Sequence, residues 1–142
     1  MSVKDTSNVA ELLKRMDELR NKTIEVGILS DAGGEIIDRA TWNEFGTKNI
    51  PERSFIRAGY DTNKSKIESQ GEKLVNSVVN MAITPNRAAE TLGEVAKGMI
   101  QDFAVNLSDP PNAESTIRQK GSDNPLVDTG EMIEKINYKV KG

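Results

Sequence analysis

The chain has 142 residues, a net charge of -3, 36% hydrophobic and 4% aromatic residues, and neither histidine nor cysteine. Those two absences exclude disulfides, thiolate nucleophiles, cysteine-ligated zinc, a Ser-His-Asp triad and a histidine general base. Carboxylate-only sites for magnesium or calcium stay open on chemical grounds, whereas a weakly acidic balance does not suit a freestanding nucleic-acid binder.

A chain of this length suits a single domain spanning residues 1–142 and can bury a core without cross-links. No run reaches the roughly 20 apolar residues that a bilayer-spanning helix needs. The opening stretch MSVKDTSNVAELL lacks the apolar centre of a signal peptide. The expectation is a protein made, and kept, in the cytoplasm of its cell.

In chain order, the first predicted helix covers residues 8 to 20. Val9, Leu12, Leu13, Met16 and Leu19 recur at spacings of three and four, with Ser7 or Asn8 as N-cap. Residues 22 to 29 switch period: Ile24, Val26 and Ile28 alternate with Glu25 and Gly27, which predicts a strand with one buried face. The loop Ser30-Asp31-Ala32-Gly33-Gly34 ends it. A short helix follows from Glu35 to Phe45, with Gly46 suited to a left-handed C-terminal cap.

Residues 46–57 have no period and contain Pro51. Their apolar side chains Ile50, Phe55 and Ile56 allow two readings. Either they pin the loop to its own core, or the segment is a projecting arm whose apolar tips dock on a neighbour.

Two longer helices come next. Ile67, Leu74, Val75, Val78, Val79 and Ala82 share a face of the first. Thr84-Pro85 marks the start of the second, with threonine as cap and proline in the first turn. Leu92, Val95, Ala96, Met99, Ile100, Phe103 and Leu107 make its stripe the cleanest helical period in the chain. Gly93 and Gly98 either weaken it or permit close packing. The pair is expected to lie over the sheet.

Ser108-Asp109-Pro110-Pro111 breaks the helix, and a short helix is predicted from Asn112 to Lys120. Asp128 offers an N-cap with Glu131 three residues on, and Gly130 eases the bend. The last segment, INYKVK, alternates again and predicts a second strand over about 135–141. The fold class that results is α+β: a small antiparallel β-sheet packed against two long helices, with an N-terminal helix and a projecting loop.

Two signals bear on function. Asp128-Thr129-Gly130 matches the fingerprint of aspartic proteases, in which paired aspartates share a proton. Only a dozen residues follow Gly130, too few for the flap and returning strand of that fold, so capping is the better reading. The second signal is a pair of motif blocks. WNEFGTKNIPERSFIRAGYD supplies Glu44, Phe45, Gly46, Thr47, Ile50, Pro51, Arg53, Phe55 and Arg57. PPNAESTIRQKGSDNPLVDTGEMIEKINYKV supplies Pro-Pro, Thr-Ile-x-x-Lys-Gly and Pro-Leu-x-Asp-Thr-Gly before the closing strand.

In that order, about residues 9 to 140 resemble a family of tailed-bacteriophage virion morphogenesis proteins, variously neck, tail-completion or minor tail-component proteins. Ser54 stands where a proline is common, and Glu131 where glutamine is expected. The resemblance implies a structural adaptor of the virion neck, joining the DNA-filled head to the tail. It implies no enzymatic activity and no cofactor or metal.

The expected assembly is a homo-oligomeric ring, a hexamer or else a dodecamer. It would touch head-completion or connector proteins on one side and tail terminator or tail tube proteins on the other. DNA would pass through the channel without specific binding, and no membrane is involved. A tail terminator, which stops tube growth, is the alternative within this class. The expected subunit or partner interface is the loop, through Ile50, Pro51, Arg53, Phe55, Ile56 and Arg57.

Overall fold

The computed structural model describes residues 6–107 and 130–142. The predicted short helix at 112–120 and the Asp128 cap lie outside the described residues.

Helix α1 spans Thr6–Arg20 and begins two residues earlier than expected, so Ser7 and Asn8 lie within it. Its apolar stripe is only partly covered. Val9, Leu12 and Leu19 are half-buried, whereas Leu13 and Met16 are 65% and 42% exposed. The reason is geometric: α1 lies along α3 and α4 and meets too little of them to cover a full helical face.

Strand β1 (Thr23–Ile28) pairs antiparallel with the last strand, β2 (Ile136–Lys141), in the register Thr23↔Lys141 to Ile28↔Ile136. The pairing sets Ile24 opposite Val140 and Val26 opposite Tyr138. Period-2 geometry puts these side chains on one face of the sheet. The other face is polar and carries an ion pair between Lys141 Nζ and Glu25 at 2.8 Å. Two strands alone are marginal in water and need a helix against one face. Here α4 supplies it, meeting both strands.

A 3-10 turn (Ser30–Ala32) leads into α2 (Gly34–Phe45). The buried residues of α2 are Ile36, Ala40 and Glu44, one every four positions along a single stripe. Gly46 ends the helix at φ 76°, its N–H donating to the Trp42 carbonyl at 2.8 Å. A Cβ there would sit 2.9 Å from the Glu52 backbone nitrogen, so both φ and crowding require glycine.

Helices α3 (Arg57–Val79) and α4 (Pro85–Asn106) form the most extensive contact between elements. The Thr84 side chain accepts from the Arg87 N–H at 3.1 Å, with Pro85 at the start of the helix, as its sequence predicts. The inner face of α4 is built from small residues: Ala88, Ala89, Gly93, Ala96 and Ala104 are buried with Ile100. Of its expected stripe, Ala96 and Ile100 are buried, while Leu92, Val95, Met99, Phe103 and Leu107 flank them half-buried. The small residues let the sheet lie close. A Cβ on Gly93 would fall 2.3 Å from the Tyr138 ring, whereas one on Gly98 would meet open space.

A one-turn helix α5 (Gly130–Glu134) precedes β2. The Gln101 side chain donates to the carbonyls of Ile133 and Ile136, both at 3.3 Å, and ties this corner to α4. The core consists of Ile36, Ala40, Phe55, Ile100, Ala104, Met132, Ile133 and Ile136. The α+β class, with a two-stranded antiparallel sheet on helices and an N-terminal helix, is as expected. The loop differs: residues 46–56 are anchored to their own domain and do not project. No helix among the described residues is long and apolar enough to cross a membrane.

Candidate interaction site at the Glu44 anchor

The stripe of α2 ends by placing a carboxylate inside the protein. Glu44 is 5% exposed, the one buried charged residue among those described. A buried carboxylate is costly unless its lone pairs are filled, and these are. Oε2 accepts from the N–H groups of Phe55 and Ile56, each at 3.0 Å. Oε1 accepts from the Arg57 N–H at 2.9 Å, the Arg57 Nε at 3.0 Å and the Ser54 hydroxyl at 2.9 Å.

The three amides are those at the entrance to α3, where the first N–H groups of a helix lack partners and the backbone dipole favours negative charge. Glu44 thus caps α3 from the end of α2. Ser54 Oγ extends the cap by accepting from the Ala58 N–H at 3.2 Å.

Burial is the largest single influence on the Glu44 carboxyl and pushes its pKa up. The backbone N–H groups of Arg57 and Ile56, the Ser54 hydroxyl and the Arg57 side chain together outweigh it and hold the group below the ordinary carboxylate range. Arg57 is shifted upward by its bond to Glu44. Its guanidinium also donates to the Glu44 carbonyl and to Glu52, both at 3.1 Å, and lies 4.8 Å above the centre of the Phe45 ring.

This network decides where the expected interface residues stand. Phe55 is fully buried and belongs to the core, so its expected place at a subunit contact is corrected. With its N–H held by Glu44, its ring turns inward between α2, α4 and α5. Ile56 packs partly against the same core. Ile50 is half-buried in a tight turn in which its carbonyl accepts from the Thr47 N–H at 2.8 Å. The Arg53 N–H donates to the Asn43 carbonyl at 2.6 Å. Pro51 and Arg57 are exposed. Gly130 opens α5, and its partner in the expected cap, Asp128, lies outside the described residues.

Two exposed aromatic residues stand beside this network, outside the expected interface. Trp42 and Phe45, one helical turn apart at the end of α2, are 45% and 62% exposed. Both lie in the first motif block, where they read as ordinary helix residues. The available signal was that both lie on the helix face opposite the stripe Ile36–Ala40–Glu44, off the buried line. No group of carboxylates that could hold a metal occurs among the described residues. Chemically the arrangement can present a rigid, aromatic-tipped surface to a partner. No family model, no curated protein and no solved structure matches the chain.

Proposed function

We propose that this protein is a structural adaptor in the neck of a tailed phage particle, one subunit of a ring that joins the DNA-filled head to the tail. The observation that carries this reading is the Glu44 anchor. Glu44 to Arg57, within the first of the two motif blocks that carry the resemblance, is a braced element. It holds the end of α2, which displays Trp42 and Phe45, against the start of α3. Aromatic residues on a rigid support are the kind that dominate protein interfaces. The protein acts by surface complementarity and not by covalent chemistry, and its net charge of -3 disfavours retention of DNA.

A phage with an early stop codon in this gene tests the reading. It should fill capsids with DNA and build tails that do not join. Purified protein added to the extract should restore joining in proportion to the amount added, without turnover. Tails of uncontrolled length would point to a terminator, and normal infectious particles would exclude the neck role.

A further inference from the structure

A half-open groove of about 470 Å³ runs between β1, α3 and α4. Its floor is apolar: Ile24 and Val26 from the strand, Ile67 from α3, and Leu92 and Ile100 from α4. The volume and the mix of an apolar floor with few polar groups fit a cleft that takes a ligand or a partner's side chains. Three residues near the start of α3 supply the polar mouth: Arg57, Tyr60 and Asp61.

Their charges decide what fits. Arg57 is already committed to Glu44 and Glu52, so it offers no free cation to an acidic guest. The Asp61 carboxylate has no hydrogen bond or ion pair among the described residues. Tyr60, 42% exposed, lines the same mouth. A carboxylate and an aromatic face on one mouth each suit an ammonium or guanidinium group, the first through charge and the second through the ring's electron-rich face. The net charge of the mouth, counting Arg57, Glu44, Glu52 and Asp61, is negative.

We infer that the groove receives a peptide segment of a partner protein that carries two or three apolar side chains next to a lysine or arginine, the apolar groups on the Ile24–Leu92 floor and the cation between Tyr60 and Asp61. This surface adjoins the Trp42–Phe45 platform through Arg57, which lines the groove mouth and stacks on Phe45, but the inference does not rest on the phage reading. A peptide is the occupant because one chain can bring both apolar side chains for the floor and a cation for the mouth of this half-open cleft.

The test is selection of a random twelve-residue peptide display library on the immobilised full-length chain, followed by binding measurements on synthesised winners. Enriched peptides should share apolar residues flanked by lysine or arginine. They should bind Asp61→Lys and Tyr60→Ala at least about tenfold more weakly, the loss expected when one well-placed charged or aromatic contact is removed. Both substitutions are at exposed positions, and thermal melts of the variants should match the parent. The inference is overturned if no sequence enriches, if winners lack basic residues, or if their affinity ignores both substitutions. Self-association of the free chain that is abolished by Asp61→Lys would also overturn it, because the occupant would then be a second copy.

Discussion

At the residue scale, Glu44 carries more of the local architecture than any other polar side chain. Glu44→Ala leaves three amides and an arginine at a buried site without their acceptor. The expected cost is about 3–5 kcal/mol, measurable by urea unfolding. The pH dependence follows from the direction of its shift. The folded-state pKa lies below the unfolded value of 4.5, so the contribution is fully present above that value. It is lost as pH falls through the lower folded-state pKa. Glu44→Gln should therefore flatten the acid limb of the stability curve below about pH 4.5, in addition to lowering stability at neutral pH. Phe55 gives the complementary test. Phe55→Ala should cost about 3–5 kcal/mol in the isolated monomer, because the ring is fully buried. An unchanged urea midpoint would return the side chain to an intermolecular role.

At the scale of elements, two joints are predictable. Helix α3 ends with Ala82 N–H donating to the Ser77 carbonyl at 2.8 Å and Met81 N–H to that of Val78 at 3.0 Å, the bond pattern of a left-handed cap. The residue in the left-handed position is Met81, at φ 63°. Glycine has no Cβ to conflict there, so Met81→Gly should stabilise the protein by about 0.5–1 kcal/mol in thermal or urea melts, the relief of strain being partly offset by chain entropy. Gly93 is the opposite case. Gly93→Ala drives a methyl into the Tyr138 ring that lies over it, and should cost about 1–3 kcal/mol despite alanine's better helix propensity. The same Tyr138 hydroxyl donates to Glu90 at 2.7 Å, and that bond to a carboxylate, with burial adding to it, pushes its pKa up to about 12. Ring and hydroxyl together hold the sheet to α4.

At the scale of the whole molecule, the exposed apolar residues are not scattered evenly. Leu13 and Met16 lie on α1, Trp42 and Phe45 on α2, and Val75, Val79 and Met81 around the end of α3, whereas Tyr60 and Val105 stand singly on α3 and α4. If the α2 pair is the assembly surface, Trp42→Ala with Phe45→Ala should leave monomer stability within about 1–2 kcal/mol, since only the Arg57 stack and partial burial are lost. The same double variant should abolish complementation of the stop-codon phage. Full complementation by the double variant would move the assembly surface elsewhere on the protein.

Local chemistry was enough to place most elements. Period-2 alternation in Ile24–Val26–Ile28 and in INYKVK marked both strands, and Thr84-Pro85 marked the start of α4, because these signals act within a few residues. The positive φ at Gly46 was likewise legible, since only glycine suits that junction. The pairing of the first strand with the last, the close seat of Tyr138 on Gly93 and the inward turn of Phe55 depended on contacts between residues far apart in sequence. An apolar side chain in an aperiodic loop carries no sign of which way it points. What turned Phe55 inward is the Glu44 carboxylate, which takes up the amides of residues 55–57. Nothing local to either segment specifies that meeting. It exists only once α2 has packed by its Ile36–Ala40 stripe and carried Glu44 to the open end of α3.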